Sequence, residues 1–250
     1  MERRRCTVVA NQAVGAYRVL RVEDPVVPEP GQFSMLTAVE RWGGGADERP
    51  YLPRAFSVAR WVDGIAEYML EDVGPGTNRL CELERGDAVW ALGPLGQGFR
   101  APRDGRRPVL VGGGIGVAPL AIWQDVLEVE HSVLLGFRDA EHAEGATLMR
   151  DAVVATDDGS VGHHGYVTEL IGADHIEIYA CGPPQMLEAV RAIAEERDIP
   201  AQLALESGMA CGFGACFGCV VPTRDGGFTR VCVDGPVFEA AELAVVEAHA

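Results

Sequence analysis

Four cysteines near the carboxyl end constrain this chain most. The stretch Glu206-Ser-Gly-Met-Ala-Cys211-Gly-Phe-Gly-Ala-Cys216-Phe-Gly-Cys219 sets three of them at C-x4-C-x2-C, and Cys232 follows after twelve intervening residues. That is the plant-type ligand spacing of a 2Fe–2S cluster, and thiolates are the soft ligands such clusters take. Gly212, Gly214 and Gly218 let the backbone curl tightly and aim N–H groups at the sulfurs. The competing reading is a structural zinc site of four cysteines. Zinc sites usually come as two close Cys pairs, whereas here three ligands share one glycine-rich loop. The metal ligands expected are Cys211, Cys216, Cys219 and Cys232.

The other three cysteines (Cys6, Cys81 and Cys181) are scattered, which argues against a disulfide framework. At 250 residues, 48% of them hydrophobic, the chain can bury two compact cores and carry a small third unit. A formal net charge of −16 repels phosphate backbones, so nucleic acid is not expected as a partner; the charge serves solubility. No apolar run approaches the length of a bilayer span. Arg3-Arg4-Arg5 leads into a short β-like run rather than an apolar segment with a cleavage site, and a cytoplasmic protein is expected.

The hydrophobic pattern changes once along the chain. Up to about residue 102 short strand candidates recur: Cys6–Ala10, Tyr17–Val22, Gln32–Ala38, Phe56–Arg60, Ile65–Leu70 and Ala88–Leu92. Turns such as Pro28-Glu-Pro-Gly31 and Gly93-Pro94 separate them, one helix is expected at Thr77–Leu83, and Gly43-Gly-Gly45 reads as a loop. Many short strands with turns between them predict a small antiparallel barrel. After Pro108 apolar strands alternate with helices. Val109–Val111, Val133–Phe137, Val153–Thr156, Ile176–Ala180 and Leu203–Leu205 read as buried parallel strands, and Ala118–Leu127 and Gln185–Glu196 as helices. That alternation predicts an open parallel sheet covered by helices. The cysteine loop and a short tail follow. The expected fold class is thus α/β plus all-β: a barrel over 1–102, a parallel-sheet nucleotide-binding domain over 103–205 and a small cluster domain over 206–250.

Two glycine motifs sit where a dinucleotide would bind. Val111-Gly-Gly-Gly-Ile-Gly-Val-Ala-Pro-Leu120 follows a strand and opens a helix, so a pyrophosphate can approach the backbone at the positive helix end. The strict G-x-G-x-x-G fingerprint is absent, and the run also reads as a tight strand-to-helix turn. Ala180-Cys-Gly-Pro-Pro-Gln-Met186 ends a later parallel strand, where ligands of open sheets gather. Cys181 lies near that ligand or is simply a small buried apolar residue. In the barrel, Arg54-Ala-Phe-Ser57 offers an arginine able to grip a pyrophosphate and a serine able to hydrogen-bond a flavin. Gly76-Thr77 opens a helix that can hold a phosphate. Each is weak alone; their order along the chain gives them weight.

In that order the motifs resemble the ferredoxin–NAD(P) reductase superfamily over nearly the full length. Within it the chain is most similar to electron transfer subunits of class 1B dihydroorotate dehydrogenases. The matching residues are Pro30-Gly-Gln-Phe33, Arg54-Ala-Phe-Ser57, Gly93-Pro-Leu-Gly-Gln-Gly-Phe99, Gly112-Gly-Gly-Ile-Gly116, Asp157-Asp-Gly-Ser160 with Gly165-Tyr-Val-Thr168, Cys181-Gly-Pro183 and Met209-Ala-Cys-Gly-Phe-Gly-Ala-Cys216. The cysteine loop directly after the nucleotide domain is the most specific. The resemblance implies FAD in the barrel, NAD in the second domain and a 2Fe–2S cluster in the loop. It implies that Arg54 and Thr77 hold FAD phosphates, that Ser57 approaches the isoalloxazine, and that Met69, Leu70 and Glu71 line the flavin through their backbone. The cofactor residues expected are therefore Arg54, Ala55, Phe56, Ser57, Met69, Leu70, Glu71, Gly76 and Thr77 on the flavin side. On the nucleotide side they are Gly112, Gly113, Gly114, Gly116, Cys181, Gly182 and Pro183. Ala55 stands where the family usually has proline, which loosens the loop and leaves the arginine and serine in place.

The implied electron path is dihydroorotate to a partner flavin, then cluster, FAD and NAD, within de novo pyrimidine (UMP) synthesis. A flavin exchanges electrons singly and in pairs, so it stands between cluster and nicotinamide. The chain has no second flavin barrel, so the resemblance implies an FMN-containing catalytic partner in a hetero-oligomer, a heterotetramer. The runner-up is a small flavin and iron–sulfur subunit of a ferredoxin–NAD(P) reductase or hydrogenase complex. A non-enzyme reading, a nucleotide sensor with structural zinc, would be colourless. NAD or NADP is left open by Gly136-Phe-Arg-Asp139: Asp139 suits a ribose hydroxyl and Arg138 a 2′-phosphate. NAD follows from the resemblance.

Overall fold

The computed structural model describes residues 2–39, 52–172 and 175–244; the glycine run at 43–45 lies outside them. Strands β1 (Arg3–Val14), β2 (Tyr17–Glu23), β3 (Phe33–Ala38), β4 (Arg54–Val62), β5 (Ile65–Glu71) and β6 (Ala88–Leu95), with helix α1 (Pro75–Cys81) before the last, build the first half. They close a barrel in the order β1-β2-β5-β4-β3-β6, every pair antiparallel. Alternation sends Leu20, Leu36, Phe56, Tyr68, Leu70 and Val89 inside. The buried Tyr68 hydroxyl donates to Ser34 Oγ at 3.1 Å, which satisfies it without water. Except for β3, which starts one residue later at Phe33, the strands exceed the expected lengths, β1 most of all, because its polar ends still pair with β2 and β6.

The second half follows as β7 (Arg107–Gly113), α2 (Val117–Val126), β8 (Ser132–Phe137), α3 (Ala140–Ala143), β9 (Ala152–Thr156), β10 (His163–His164), β11 (Ile176–Cys181), α4 (Pro184–Glu196) and β12 (Ala201–Ala204). Beyond it lie β13 (Val220–Pro222), β14 (Phe228–Arg230) and β15 (Val237–Glu239). One sheet runs β10-β9-β8-β7-β11-β12-β15, parallel except for β15. Strand order reverses between β7 and β11, which puts both glycine motifs at the switch point where open sheets take ligands. The expected short tail is corrected here. Residues after the cysteine loop form the β13–β14 hairpin and return β15 to the sheet edge, pairing with Gln202–Ala204. These strands have three residues each, too short for alternation to announce them.

Barrel and sheet meet over α2, which is buried on nearly every side. Arg60 of β4 donates to Asp125 at 2.6 Å and to the Leu148 carbonyl at 3.1 Å. Phe99 stacks on Trp123 with centroids 5.8 Å apart and meets Tyr179 edge-on at 5.7 Å. Just before it, Gly96 sits at φ +78°, and a Cβ there would lie 2.5 Å from the Gly235 carbonyl oxygen. No helix among the described residues is long and apolar enough to cross a membrane.

Gly96→Ala therefore strains a left-handed backbone and forces the 235–236 segment away. It is expected to cost about 2 kcal/mol, read as a lowered urea midpoint.

Candidate functional site

The cysteine loop is shaped by residues at positive φ: Gly212 at +78°, Gly214 at +85° and Phe217 at +56°. These turns aim amides inward. Gly218 N–H donates to Cys216 Sγ and Cys232 N–H to Cys219 Sγ, both at 3.4 Å. Burial pushes the Cys211 thiol up, but amide donors of Phe213, Cys216 and Ala215 and the Cys216 side chain outweigh it, bringing it down to about 6. Burial and the neighbouring Cys219 push Cys232 up to about 12. Cys211 thus lies beside Cys216 and Cys219 beside Cys232. Among the described residues no three His, Cys, Asp or Glu side chains group as a site for one metal ion. Two pairs of thiols, each ringed by amides, fit a two-iron cluster, with two sulfurs for each iron. Cys219 and Cys232 are buried, Cys211 is half-buried and Cys216 is exposed.

The loop is seated on the barrel. A Cβ on Gly212 would lie 2.6 Å from Met35 Cγ, so only glycine allows this approach. Met35 pairs across the β3–β4 ladder with Ala55, and Phe33 with Ser57. Opposite residues of an antiparallel pair share a face. The face that carries Ala55 and Ser57 is therefore the one that receives the cysteine loop. Phe33, Met35, Leu95, Cys219 and Cys232 share one core cluster, with Ala55 and Met209 packed against it. Met35 had no signal in the sequence beyond its place in an apolar run.

Arg54 begins β4 on the other face. Its guanidinium covers the start of α1: a Cβ on Gly76 would lie 2.9 Å from Arg54 Cζ. Arg54 Nη1 also donates to the Leu52 carbonyl at 2.6 Å. Thr77 uses its hydroxyl on its own loop, accepting from the Val73 and Gly74 amides at 2.9 and 3.0 Å and donating to the Gly74 carbonyl. It holds the turn in shape, while the first-turn amides of the helix have no intrahelical acceptor. A cation above exposed amides, in a cradle that a Cβ would fill, suits a pyrophosphate. Phe56, Met69 and Leu70 are buried, and Glu71 is partly exposed.

At the switch point two backbones touch. Cys181 is in register with Gly112. A Cβ on Gly116 would lie 2.3 Å from the Cys181 carbonyl oxygen, and one on Gly182 would lie 3.0 Å from Gly113 Cα. The contact opens a cleft of about 680 Å³ lined by Gly113, Gly114, Gly182, Pro183, Arg138 and Asp157, and by Tyr17 and Glu71 from the barrel. Gly112 lies beneath it, against Leu135. Cys181 turns its thiol into the core, where burial pushes it well above its ordinary range, so only its backbone shapes the cleft. Asp139 caps α3: its Oδ1 accepts from His142 N at 3.0 Å and from His142 Nδ1 at 2.7 Å, and these bonds hold its carboxyl below the usual range. Tyr17, buried edge-on to His142 with centroids 5.5 Å apart, was not foreseen; nothing in a strand residue of the barrel points to a cleft in the other half.

Comparison with known proteins agrees with this geometry. Residues 206–244 match the family described as the iron–sulfur cluster binding domain of dihydroorotate dehydrogenase B. The chain is 37% identical over 225 residues to a "dihydroorotate dehydrogenase B (NAD(+)), electron transfer subunit" of Caldanaerobacter subterraneus subsp. tengcongensis, covering 86% of this chain and 87% of the relative. The protein of the same description from Bacillus caldolyticus is 40% identical over 234 residues, covering 87% of each. Among solved structures, an NADH-dependent reduced ferredoxin–NADP oxidoreductase superposes with a TM-score of 0.80 at 26% identity, over 96% of this chain and 90% of that one. An Amycolatopsis cytochrome P450 reductase reaches 0.60 at 27% identity, over 78% and 67%.

Cys219→Ser replaces a buried sulfur by a harder, smaller oxygen. Bound iron per chain is expected to fall by more than half while flavin absorbance is retained, since loop and barrel motifs are separate segments. Full iron content and an unchanged reduced-state EPR signal would remove Cys219 from the ligand set.

Proposed function

The chain belongs to the family of dihydroorotate dehydrogenase B electron transfer subunits, and on that premise we propose that it links a dihydroorotate-oxidising catalytic subunit to NAD+. It does so with a 2Fe–2S cluster and FAD that it holds itself. The observation that carries the reading is the seating of Gly212 on Met35, one strand from Ala55 and Ser57. The cluster loop shares one barrel face with Ala55 and Ser57 of the flavin motif, and the dinucleotide cleft opens beside the end of β5. When bound, FAD supplies the exchange between paired electrons on the nicotinamide side and single electrons on the cluster side.

The chain's own residues do the holding. Cys211 and Cys216, with Cys219 and Cys232, ligate the cluster, and amides of the loop stabilise thiolate charge. Arg54 and the first turn of α1 bind the FAD pyrophosphate, Thr77 keeps that turn in shape, and Ser57 faces the ring system. Gly113, Gly114 and Gly182 let the dinucleotide lie against bare backbone, with Pro183 beside them. Ala55 keeps an amide hydrogen where proline would have none.

The catalytic partner is an FMN-containing subunit, the assembly a heterotetramer, and the pathway de novo pyrimidine synthesis. The loop is suited to hand electrons across that interface. Cys216 is exposed, and Phe213 and Phe217 of the same loop present 47% and 61% of their surfaces to solvent. Aromatic residues of this kind form interface cores. Arg230 lies over the Phe217 ring, 5.5 Å from its centroid, and fixes it. A cytoplasmic location completes the proposal, since seven cysteines that form no disulfide suit a reducing compartment.

Two outcomes are expected. Arg54→Ala removes a charge-assisted phosphate contact and lowers the flavin-to-protein ratio after gel filtration, with iron content little changed. Mixed with an FMN-containing dihydroorotate dehydrogenase subunit, the chain yields NADH from dihydroorotate and NAD+; alone it reduces only artificial acceptors with NADH. No activity with its cognate subunit at full cofactor loading would favour the ferredoxin-linked complex to which the fold is also similar.

A further inference from the structure

We infer that Glu71 sets the dinucleotide specificity of the cleft. It holds the Arg138 guanidinium away from a ribose 2′-phosphate, so that the cleft takes NAD(H) and rejects NADP(H). The inference rests on the cleft being the dinucleotide site.

Arg138 directly follows β8, and β8 pairs with β7 so that Gly136 faces Gly113 of the phosphate turn. The end of the strand beside that turn is where the adenosine ribose of a dinucleotide is read, by a carboxylate for a free 2′-hydroxyl or an arginine for a 2′-phosphate. By position alone Arg138 is an NADP signal. Asp139, the residue that would contradict it, caps α3 through Oδ1 and is not among the residues that line the cleft. Among the described residues that line the cleft, Arg138 is the one arginine, and none is a lysine.

The guanidinium is nevertheless engaged. Arg138 Nη2 donates to Glu71 Oε1 at 2.6 Å, and His142 Nε2 lies 3.7 Å from the same oxygen. Glu71 ends β5, so its carboxylate reaches the cleft from the barrel. Its side chain is 24% exposed against 60% for Arg138. The arginine is therefore the mobile partner and the carboxylate the fixed one. A 2′-phosphate has to draw the arginine from Glu71 and leave that carboxylate uncompensated beside the new dianion. Asp157 also lines the cleft and makes no side-chain hydrogen bond or ion pair to a described residue, so a second negative charge faces the phosphate. A ribose hydroxyl demands no such exchange, because it donates to a carboxylate as readily as it accepts from an arginine. An exposed ion pair alone is worth little. Discrimination comes from the sum: the cation is neutralised, and the carboxylates around it repel a phosphate.

The test is calorimetric titration of the FAD- and cluster-loaded protein with NAD+ and with NADP+, in wild type, Glu71→Gln, Arg138→Gln and the double variant. Glu71→Gln is expected to tighten NADP+ relative to NAD+ by about tenfold, the scale of a hydrogen bond to a charged group, and the double variant to lose that gain. Flavin absorbance verifies loading. Should Glu71→Gln shed its flavin, Glu71→Asp draws the carboxylate back by one methylene and is expected to give a smaller shift of the same sign. Wild type that prefers NAD+ with an unchanged ratio in the loaded Glu71 variant overturns the inference alone. A gain that persists without Arg138 also overturns it. Wild type that binds neither dinucleotide overturns the reading of the cleft and this inference with it.

Discussion

The approach of Gly212 to Met35 is the contact on which the rest of the structure depends. Electron transfer between two centres in one chain needs them close and held still. Here that is achieved by setting a loop with no regular structure onto the stiffest surface available, the outer face of a closed barrel. A Cβ at position 212 would lie 2.6 Å from the methionine Cγ, so the loop reaches that face only as glycine. Beyond the loop, β13 and β14 form a hairpin and β15 joins the large sheet. The cysteines are thus clamped between two rigid bodies, although the loop itself is built of turns.

A second pair of close approaches makes the cleft. From the carboxyl ends of the paired parallel strands β7 and β11 the chain winds away in opposite directions, to β8 on one side and β12 on the other. Gly116 against the Cys181 carbonyl and Gly182 against Gly113 close the bottom of that divergence with bare backbone. Side chains from the barrel then complete the wall. Tyr17 and Glu71 come from strands more than forty residues before the first glycine motif. The cleft therefore belongs to neither half, and its charge is decided by both.

Much of this was legible in the sequence. Short strand-like runs separated by Gly/Pro turns marked the six barrel strands to within a few residues, and apolar runs alternating with helix-forming stretches marked the parallel strands and α2 and α4. The cysteine spacing named a ligand set because thiolate chemistry and loop length leave few alternatives. What escaped was short or non-local. β10 has two residues and β13, β14 and β15 three each, below the length at which alternation means anything. α3 has four residues and shows in the sequence only through its Asp139 cap, a residue whose carboxylate also suits a ribose hydroxyl. Cys181 read either as a neighbour of the ligand or as a small buried residue; its thiol turns into the core while its backbone borders the switch point.

By itself the sequence determined the fold class, the order of the three parts and the chemistry of the cysteine loop, because each depends on local pattern, spacing or residue type. Tertiary structure alone decided which barrel face receives the loop, that Met35 lies between loop and flavin motif, and that Arg138 answers to Glu71 rather than to its neighbour Asp139. The physical reason is distance. Glu71 and Arg138 are 67 positions apart in the chain and 2.6 Å apart in space. No local rule couples them until barrel and sheet are packed together over α2.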